Sequence, residues 1–495
     1  MPHTNPSSRV PAHSRPYLEL DAVPGPPVLP VIGSLPWILS CEGMMHGVAA
    51  LGERFRREGL FRLGLPDGGL QLFVVNAALS SEVCDDSRWE KVLGGPVVRI
   101  REITEDGLFT AYGHEENWHR AHRIIAPGFT VAAMDRFFPA IRETAYALIE
   151  HWRRAAGPVD VVDDMTRLTL DTISLCGFGH RFQSFARPAL APFLQALGRA
   201  LQETVDSLQR LRIVPLYEAY KQRRFDADVA EMYAVVDALI VARRRLDRAA
   251  WPRDLLSLML SESDPKTGER LSDANIRHQI LTFLIAGHET TAGLLAFTLH
   301  KIAADPALAA RLRDEVGRTI GDGEPTLEQV HALDLVHRTL LESLRMWPTV
   351  PAVTRAPKTD RVLDRYRIPA GHPVTLLLPA IHRDPTIWSD PDRFDPDRFL
   401  PEASKGRPVG AYKPFGIGKR TCTGRHFALI EAALCIALVV REFALERPAP
   451  LHVTPTASPK PRNFRLGLSP LACAGRCSSS SGTAPSDTPC SGYRP

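Results

Sequence analysis

Apolar residues recur at helical spacing along most of this chain. The spacing i, i+3, i+4 and i+7 predicts helices over residues 132–153, 191–209 and 226–248. Short runs of alternating apolar and polar residues predict strands over residues 70–75 and 373–378. We therefore expect a mainly α fold with small β-sheets.

The longest predicted helix lies in the second half of the chain. Ser272 and Asp273 are both suitable N-caps, and the Asp305-Pro306 pair ends the pattern. Roughly 30 residues at 1.5 Å per residue make a helix of about 45 Å, long enough to cross a whole domain. Because the middle of this segment is apolar, we expect a central helix surrounded by others.

The two ends of the chain differ from its middle. Residues 22–41 are uncharged over 20 positions, but their five prolines exclude a membrane-spanning helix. Residues 1–20 lack the apolar segment of a signal peptide, and residues 469–495 are rich in Ser, Gly, Ala, Cys and Pro. We expect a disordered start at 1–20, one domain over 21–468, a disordered tail at 469–495, no membrane span and no export.

The composition limits the class of protein. Of the 495 residues, 44% are hydrophobic and 23% are charged, which is typical of a globular protein. The 60 basic and 56 acidic residues give a net charge of +4, too small over this length to predict nucleic-acid binding. Eight scattered cysteines do not predict a disulfide framework. A cytoplasmic protein is the expectation.

A cysteine-containing loop carries the clearest chemical signal. Residues 415–424 read FGIGKRTCTG, and a long apolar run follows from His426. A cysteine just before a helix can be held as a thiolate, while glycines let the backbone approach a flat cofactor. The alternative is a buried structural cysteine in a Gly-rich turn, a description that fits Cys435 well. A dinucleotide-binding loop is excluded because Thr421 occupies the third glycine position and no strand is predicted before it.

These ten residues resemble the haem-binding signature of the cytochromes P450, and the resemblance extends through nearly the whole domain. It implies the cytochrome P450 fold, in which the long helix lies over haem b and the cysteine loop lies on the proximal side. By this resemblance Cys422 is the thiolate ligand of the haem iron, and Phe415 and Gly424 contact the haem.

A second match is a charged cluster. Glu342 and Arg345 resemble the family's Glu-x-x-Arg pair, and their i, i+3 spacing puts both side chains on one helix face. Arg398 resembles the third member. The resemblance implies a structural role, in which a buried carboxylate between two guanidinium groups supports the Cys422 loop. Without the rest of the resemblance, such a pair would be read as solvated surface charge.

A third match lies in the middle of the long helix. Residues 286–291 read AGHETT and resemble the family's oxygen-activation motif. The resemblance implies that Thr290 takes part in dioxygen activation and that Glu289 helps to relay protons. A Thr hydroxyl bonded to the carbonyl one turn earlier can open the helix beside the iron. A zinc-protease helix is excluded because Ala292 stands where the second histidine is needed, and a structural polar patch is the remaining alternative.

Aromatic and basic residues complete the predicted haem site. Trp118 and His122 lie one helical turn apart, and both can donate hydrogen bonds to a carboxylate. The resemblance implies that these two residues bind a haem propionate and that Arg355 and Arg420 are further propionate partners.

The sequence also contains two weaker metal-site patterns. Glu115, His119 and His122 could form a two-histidine, one-carboxylate iron site, but this would leave the Cys422 loop unexplained. The tail cysteines are one ligand short of a zinc site.

Several stretches look closer to one branch of the family, the self-sufficient bacterial fatty-acid hydroxylases that are fused to a diflavin reductase; these are 84–88, 106–110, 164–173, 275–291 and 382–384. The resemblance implies a substrate pocket that includes Phe109 and Ala286 and a medium- or long-chain fatty acid or related acyl substrate. Where the type member of the branch has an Arg and a Tyr that meet the substrate carboxylate, this sequence has Gly69 and Phe73. A carboxylate anchor is therefore not predicted here.

No flavodoxin-like or nicotinamide-binding segment follows Arg465. We expect electrons from NADPH or NADH through a separate flavin or iron–sulfur partner; the alternative is a truncated or frame-shifted relative of a fusion enzyme. Lys413, Lys419 and Arg425 could form a basic docking face for the partner, and the alternative for each of them singly is solvated surface charge. The predicted function is a haem-thiolate monooxygenase that inserts one oxygen atom from O2 into a C–H bond of a hydrophobic small molecule. The alternatives are a peroxygenase driven by H2O2 and a non-catalytic haem sensor or carrier.

Overall fold

The computed structural model describes residues 17–39, 44–186, 192–210, 214–454 and 458–471. Helices dominate this part of the chain. In chain order they are α1 (Leu35–Leu39), α2 (Met44–Arg54), α3 (Ala77–Val83), α4 (Pro96–Thr104), α5 (Glu116–Ile125), α6 (Phe138–Arg153), α7 (Val161–Phe178), α8 (Pro192–Gln209), α9 (Pro215–Arg245), α10 (Leu255–Ser261), α11 (Asp273–Ala304), α12 (Pro306–Thr319), α13 (Leu327–His331), α14 (Asp334–Met346), α15 (Leu378–Ile381), α16 (Pro401–Ser404) and α17 (Arg425–Glu442).

The strands are short and form small sheets. In chain order they are β1 (Leu60–Gly64), β2 (Leu70–Val74), β3 (Trp89–Lys91), β4 (Val159–Asp160), β5 (Ala352–Pro357), β6 (Arg361–Leu363), β7 (Tyr366–Ile368), β8 (Val374–Leu377), β9 (Phe443–Leu445), β10 (Val453–Thr454), β11 (Lys460–Pro461), β12 (Arg465–Leu466) and β13 (Leu468–Pro470). The predicted mainly α fold with small β-sheets is confirmed.

The largest sheet has five strands in the order β1-β2-β8-β5-β3. β1 pairs antiparallel with β2, and β2 runs parallel to β8. At the other edge β3 pairs antiparallel with β5, with Lys91 directly opposite Arg355. Because directly opposed residues share a face of a sheet, these two cations lie side by side.

The centre of the fold is α11. Ser272 caps its first turn, and Asp305 ends it and caps α12. Its 32 residues span about 48 Å and pack against α7, α9, α14 and α17. Within the described ranges it is the one helix long and apolar enough to cross a membrane, but 78% of its most apolar window is buried inside the protein. The predicted central helix is therefore a core helix.

Two predicted helices have different boundaries in the structure. Residues 132–153 are not one helix: Val131–Arg136 forms a 3-10 segment, and α6 begins only at Phe138. Pro139 lacks an N–H group and crowds the preceding turn, so the helix cannot continue through it. The helix predicted over 226–248 begins much earlier, at the Pro215 end of α9, where Leu216 is 84% exposed and its neighbours show no apolar face. The other predicted elements match α8, α11, β2 and β8 to within about one residue at each end.

The predicted disordered ends lie mostly outside the described residues. Leu18, however, pairs with Tyr366, and Ser469 and Pro470 belong to β13, which pairs with β9. At these positions the prediction is wrong, because backbone pairing with a neighbouring strand overrides the local composition. The tail cysteines lie outside the described residues.

Candidate haem site

A cavity of about 1350 Å³ lies between α11, α5, the five-stranded sheet and the loop before α17. Residues from distant parts of the sequence meet around it. Those singled out from the sequence that line it are Phe109, Trp118, His122, Ala286, Glu289, Thr290, Arg355, Phe415, Arg420, Cys422 and Gly424. The fold thus brings together all the predicted cofactor, proton-relay and substrate-pocket residues.

The loop at 415–424 is closed on itself and fixed from outside. The Cys422 N–H donates to the Phe415 carbonyl over 2.8 Å, which closes the loop. Just before it, the Lys413 N–H donates to Nε2 of His382 over 3.0 Å. Burial, followed by the nearby Arg345, lowers the pKa of His382 to about 3. The imidazole is therefore neutral and can accept this hydrogen bond.

The thiol of Cys422 is open to the cavity, and α17 begins three residues later. Burial raises the pKa of this thiol, while the Gly424 N–H and Arg425 act in the opposite direction without outweighing it. A bound metal ion deprotonates a coordinating thiol, so an iron ion at this position would favour the thiolate.

Arg420 and Trp118 form one wall of the cavity. The Arg420 guanidinium carbon lies 3.8 Å from the centroid of the Trp118 ring, and the His122 ring lies 5.0 Å from the same indole. Burial lowers the pKa of Arg420 to about 10. Its Nη2 atom is buried and has no hydrogen-bond partner in the described part of the chain. This buried donor atom would suit an acceptor atom of a ligand in the cavity.

Lys91, at the end of β3, is a cavity residue that the sequence did not reveal. Its Nζ donates to the Phe109 carbonyl. Burial, then the charges of Arg420 and Arg101, lower the pKa of Lys91 to about 7. Neither Lys91 nor Arg420 forms an ion pair with a carboxylate among the residues described. Two neighbouring, half-buried basic side chains that form no ion pair within the described ranges would suit an anionic ligand.

Arg355, the third predicted propionate partner, is bonded within the protein. Its Nη2 donates to Asp86 over 2.6 Å and to the Trp89 carbonyl over 2.7 Å. Asp86 therefore already compensates the charge of this buried guanidinium, in contrast to Lys91 and Arg420. That Arg355 also meets a propionate stays a prediction.

The middle of α11 presents Thr290 and Glu289. The Thr290 hydroxyl donates to the Ala286 carbonyl over 2.7 Å, which is the predicted backbone bond. That this bond opens α11 beside the iron stays a prediction. Glu289 lies 2.8 Å from Nζ of Lys460 and 3.1 Å from Nε2 of His288. Burial opposes ionisation, but Lys460 and His288 outweigh it and hold the pKa of Glu289 well below its usual range. The carboxylate is ionised at rest.

The predicted charged cluster lies behind the cavity. Arg345 donates to both carboxylate oxygens of Glu342 over 2.7 and 2.8 Å, both side chains are fully buried, and Arg398 Nε lies 3.5 Å from Glu342. Burial raises the pKa of Glu342, and the nearby Arg345 partly offsets this rise. Arg345 also donates to the His382 carbonyl over 3.0 Å. Through His382, which binds the Lys413 N–H, the cluster reaches the cysteine loop.

The alternative iron site does not form. Glu115 is bound by Arg101, and Nε2 of His119 lies 3.1 Å from the Gly113 carbonyl. Across the described ranges, no group of three His, Cys, Asp or Glu side chains is placed to hold a metal ion. The two-histidine, one-carboxylate alternative is therefore wrong for these residues.

The cavity fits haem b. Cys422 offers a thiol that can bind an iron ion. Lys91 and Arg420, with the orphaned Nη2 atom, suit a group with carboxylates. Phe109 and Ala286 add an apolar wall suited to a porphyrin.

The sequence profile of one family, described as cytochrome P450, matches residues 23–466. The chain belongs to the cytochrome P450 family. Membership implies haem as the cofactor, in agreement with the fit of the cavity.

Two curated cytochrome P450 relatives are longer than this chain. It is 41% identical to the bifunctional cytochrome P450/NADPH–P450 reductase 2 of Bacillus subtilis, over 84% of this chain and 40% of the relative. It is 35% identical to a self-sufficient cytochrome P450 monooxygenase of Phanerodontia chrysosporium, over 90% of this chain and 43% of the relative. The chain thus spans about two fifths of these relatives.

A solved cytochrome P450 structure covers the same region. The crystal structure of the haem domain of cytochrome P450DA is 42% identical in sequence and superposes with a TM-score of 0.85. The match covers 91% of this chain and 98% of that domain. The predicted cytochrome P450 fold is confirmed.

Proposed function

We propose that this protein is a haem-thiolate monooxygenase that inserts one oxygen atom of O2 into a C–H bond of a hydrophobic small molecule. The observation that carries the proposal is that the Cys422 thiol, the Glu289-Thr290 pair and an apolar wall share one cavity. The name of the Phanerodontia relative, a monooxygenase, supports it.

The haem is held from several sides in this proposal. Cys422 binds the iron, and Lys91, Trp118, His122 and Arg420 bind the propionates. When bound, the haem supplies the iron at which dioxygen is activated, with a thiolate ligand that favours O–O cleavage. Phe415 and Gly424 line the cavity within the cysteine loop, and Arg355 is a further propionate contact.

Thr290 and Glu289 handle protons. The Thr290 hydroxyl lies at the cavity wall and can turn from the Ala286 carbonyl to a polar group of the bound reactant. Glu289 is ionised and paired with Lys460 and His288, so it can take up a proton only when one of these partners moves. An acid and an alcohol side by side favour activation of O2 over a reaction driven by H2O2, because O2 activation consumes protons.

The substrate is a medium- or long-chain acyl compound held by its apolar chain. Toward β1 and β2 the cavity is lined by apolar side chains, namely Leu35, Ile38, Val48, Leu63 and Phe73. Burying a hydrocarbon chain there contributes about 0.8 kcal/mol per CH2 group. With Gly69 and Phe73 at the anchor positions, the carboxylate adds little, and esters should bind as well as acids.

The test uses haem-loaded protein, a surrogate reductase and isotopically labelled dioxygen. We expect one labelled oxygen atom in a hydroxylated acyl product, and similar affinities for an acid and its methyl ester. Gly69→Arg with Phe73→Tyr should raise affinity for the acid alone by roughly tenfold, the worth of one charged hydrogen bond. Protein that consumes electrons but incorporates no label would refute the proposal.

We also infer a cytoplasmic location and an electron-transfer partner that carries electrons from NADPH or NADH by flavin or iron–sulfur chemistry. The reductase named in the Bacillus subtilis relative supports an NADPH-dependent donor. Because α11 is buried, it does not argue for a membrane location.

A further inference from the structure

Asp86 connects the cysteine loop to the sheet that carries the cavity's cations. It lies in the turn before β3, and its Oδ2 accepts a hydrogen bond from the Lys419 N–H over 2.7 Å. Its Oδ1 accepts from Nη2 of Arg355, on β5, over 2.6 Å. A single carboxylate thus bonds two segments that lie far apart in the sequence but line the same cavity.

The carboxylate packs directly against the loop backbone. A Cβ atom on Gly418 would lie 1.8 Å from Oδ2 of Asp86, and Gly418 has φ of +55°. Only glycine combines this close approach with this backbone conformation. The Gly418–Arg420 turn then projects Arg420 toward Trp118, and Cys422 follows two residues later. The Asp86 carboxylate therefore fixes the position of the turn that carries Arg420 and leads into Cys422.

Asp86 is also the counter-charge in a cationic region. Arg355 is 4% exposed and pairs with it, and Lys358 donates to its main-chain carbonyl over 2.6 Å. Lys91 stands opposite Arg355 across the two strands. Removing the carboxylate would leave the buried Arg355 bonded only to the Cys84 and Trp89 carbonyls, without its counter-charge.

We propose that Asp86 is a positioning residue for the haem, acting through the Lys419 N–H and Arg355. The proposal rests on the proposed haem site. It assigns two separable effects to one side chain: the hydrogen bond holds the loop of Cys422, and the negative charge lowers the haem reduction potential. A residue that merely stabilised the fold would affect neither property of correctly folded protein.

The test compares Asp86→Ala and Asp86→Asn with Asp85→Ala as haem-loaded proteins. Asp85 is the matched control, because its carboxylate bonds Ser87 and Arg88 at the surface. We expect Asp86→Ala to release haem to apomyoglobin roughly tenfold faster than wild type, as variants of residues that support metal ligands do. It should also lose part of the absorption band at about 450 nm that a thiolate-ligated haem shows when reduced and bound to carbon monoxide. Asp86→Asn keeps an acceptor for the Lys419 N–H, so it should keep the band but show a more positive reduction potential.

Two results would overturn the proposal, and they can be told apart. If folded Asp86→Ala and Asp86→Asn match Asp85→Ala in haem release, spectrum and potential, Asp86 does not position the haem, although the proposed function stands. If wild type itself gives no band near 450 nm, the proposed function and this inference fail together. If Asp86→Ala does not fold, Asp86→Asn and Asp86→Glu decide, since Asp86→Glu should restore the potential that Asp86→Asn shifts.

Discussion

The charge of Lys91 should depend on whether the cofactor is bound. In the protein alone, burial and Arg420 hold the pKa of Lys91 near 7, well below that of a free lysine. Two propionates beside it would reverse that effect, because a negative charge favours the protonated amine. The same side chain should therefore destabilise the apoprotein and stabilise the complex.

Replacing Lys91 by methionine should have opposite effects on these two states. Between about pH 7 and 10 the unfolded chain holds a proton on Lys91 that the folded apoprotein has lost, so wild-type apoprotein gains stability as the pH rises through this window. Lys91→Met removes the free-energy cost of burying the protonated amine. The variant should therefore stabilise the apoprotein most at pH 7 and below, where that cost is complete. Haem release should become roughly tenfold faster, as expected for one lost charged hydrogen bond.

Urea unfolding of the apoprotein at several pH values and transfer of haem to apomyoglobin measure the two effects. The exposed Lys405 serves as the control, since Lys405→Met should change neither. Equal haem release from Lys91→Met and wild type would contradict the assignment of Lys91 to a propionate.

The residues that the sequence revealed most clearly stand in compact motifs. Cys422 and Thr290 each lie within ten residues of their motif partners, as Glu342 does of Arg345, and the family resemblance rests on these motifs. Lys91 and Lys460 lie outside these motifs. Asp86 lies in the stretch 84–88, but its bonds to Arg355 and to the Lys419 N–H join positions far apart in the sequence. No local pattern marks such contacts.

At the scale of elements, α11 offers a matched pair of threonines. Both Thr290 and Thr298 donate to the carbonyl four residues earlier over 2.7 Å, but Thr290 lines the cavity whereas Thr298 also contacts Ser343 in the core. Thr290→Ala should lower product formed per NADPH roughly tenfold or more and release H2O2, because the donor at the oxygen site is lost.

Thr298→Ala should instead lower thermal stability and leave the yield per NADPH unchanged. Product and peroxide assays on both variants, with the same surrogate reductase, check the prediction. Equal product per NADPH in Thr290→Ala and wild type would show that Thr290 does not take part in the proposed proton transfer.

The buried pair of Glu342 and Arg345 on α14 should be important for stability. Glu342→Gln leaves Arg345 charged, fully buried and without its carboxylate, which should destabilise the protein by about 3–5 kcal/mol. Asp314→Asn breaks an i, i+4 pair with Arg318 in which both side chains are about 70% exposed, and it should cost less than about 1 kcal/mol. Chemical denaturation of both variants measures the change in the free energy of unfolding. A loss in Glu342→Gln as small as that in Asp314→Asn would contradict the structural role of Glu342.

Helix boundaries were predicted wrongly where a proline interrupts the apolar pattern and where apolar side chains are exposed to solvent. Periodicity extended a helix through Pro139 because the apolar pattern continues on both sides of it. It missed the first turns of α9 because Leu216 and Tyr217 face solvent. The buried helices α11 and α17 were found because their apolar runs leave no other stable conformation.

At the scale of the whole molecule, the proximal surface is where electrons must enter. Lys419 and Arg425 are exposed beside the Cys422 loop, and an acidic partner would be attracted there. Reversing both charges, Lys419→Glu with Arg425→Glu, should slow reduction by an acidic reductase roughly tenfold or more at low salt. Reduction by dithionite at high salt measures any separate effect of Arg425 on the Cys422 site.

Stopped-flow reduction at increasing ionic strength measures this effect. Wild type should slow as salt rises, while the double variant should not. Arg318→Glu, on the exposed side of α12, is the control. A variant reduced as fast as wild type would place the docking face elsewhere.

The central claim is that Cys422 ligates a haem iron, and the carbon monoxide difference spectrum of the dithionite-reduced protein tests it most directly. We predict a maximum at about 450 nm in wild type that is absent in Cys422→Ala. Folded wild-type protein without haem, or with a maximum at about 420 nm, would contradict the account.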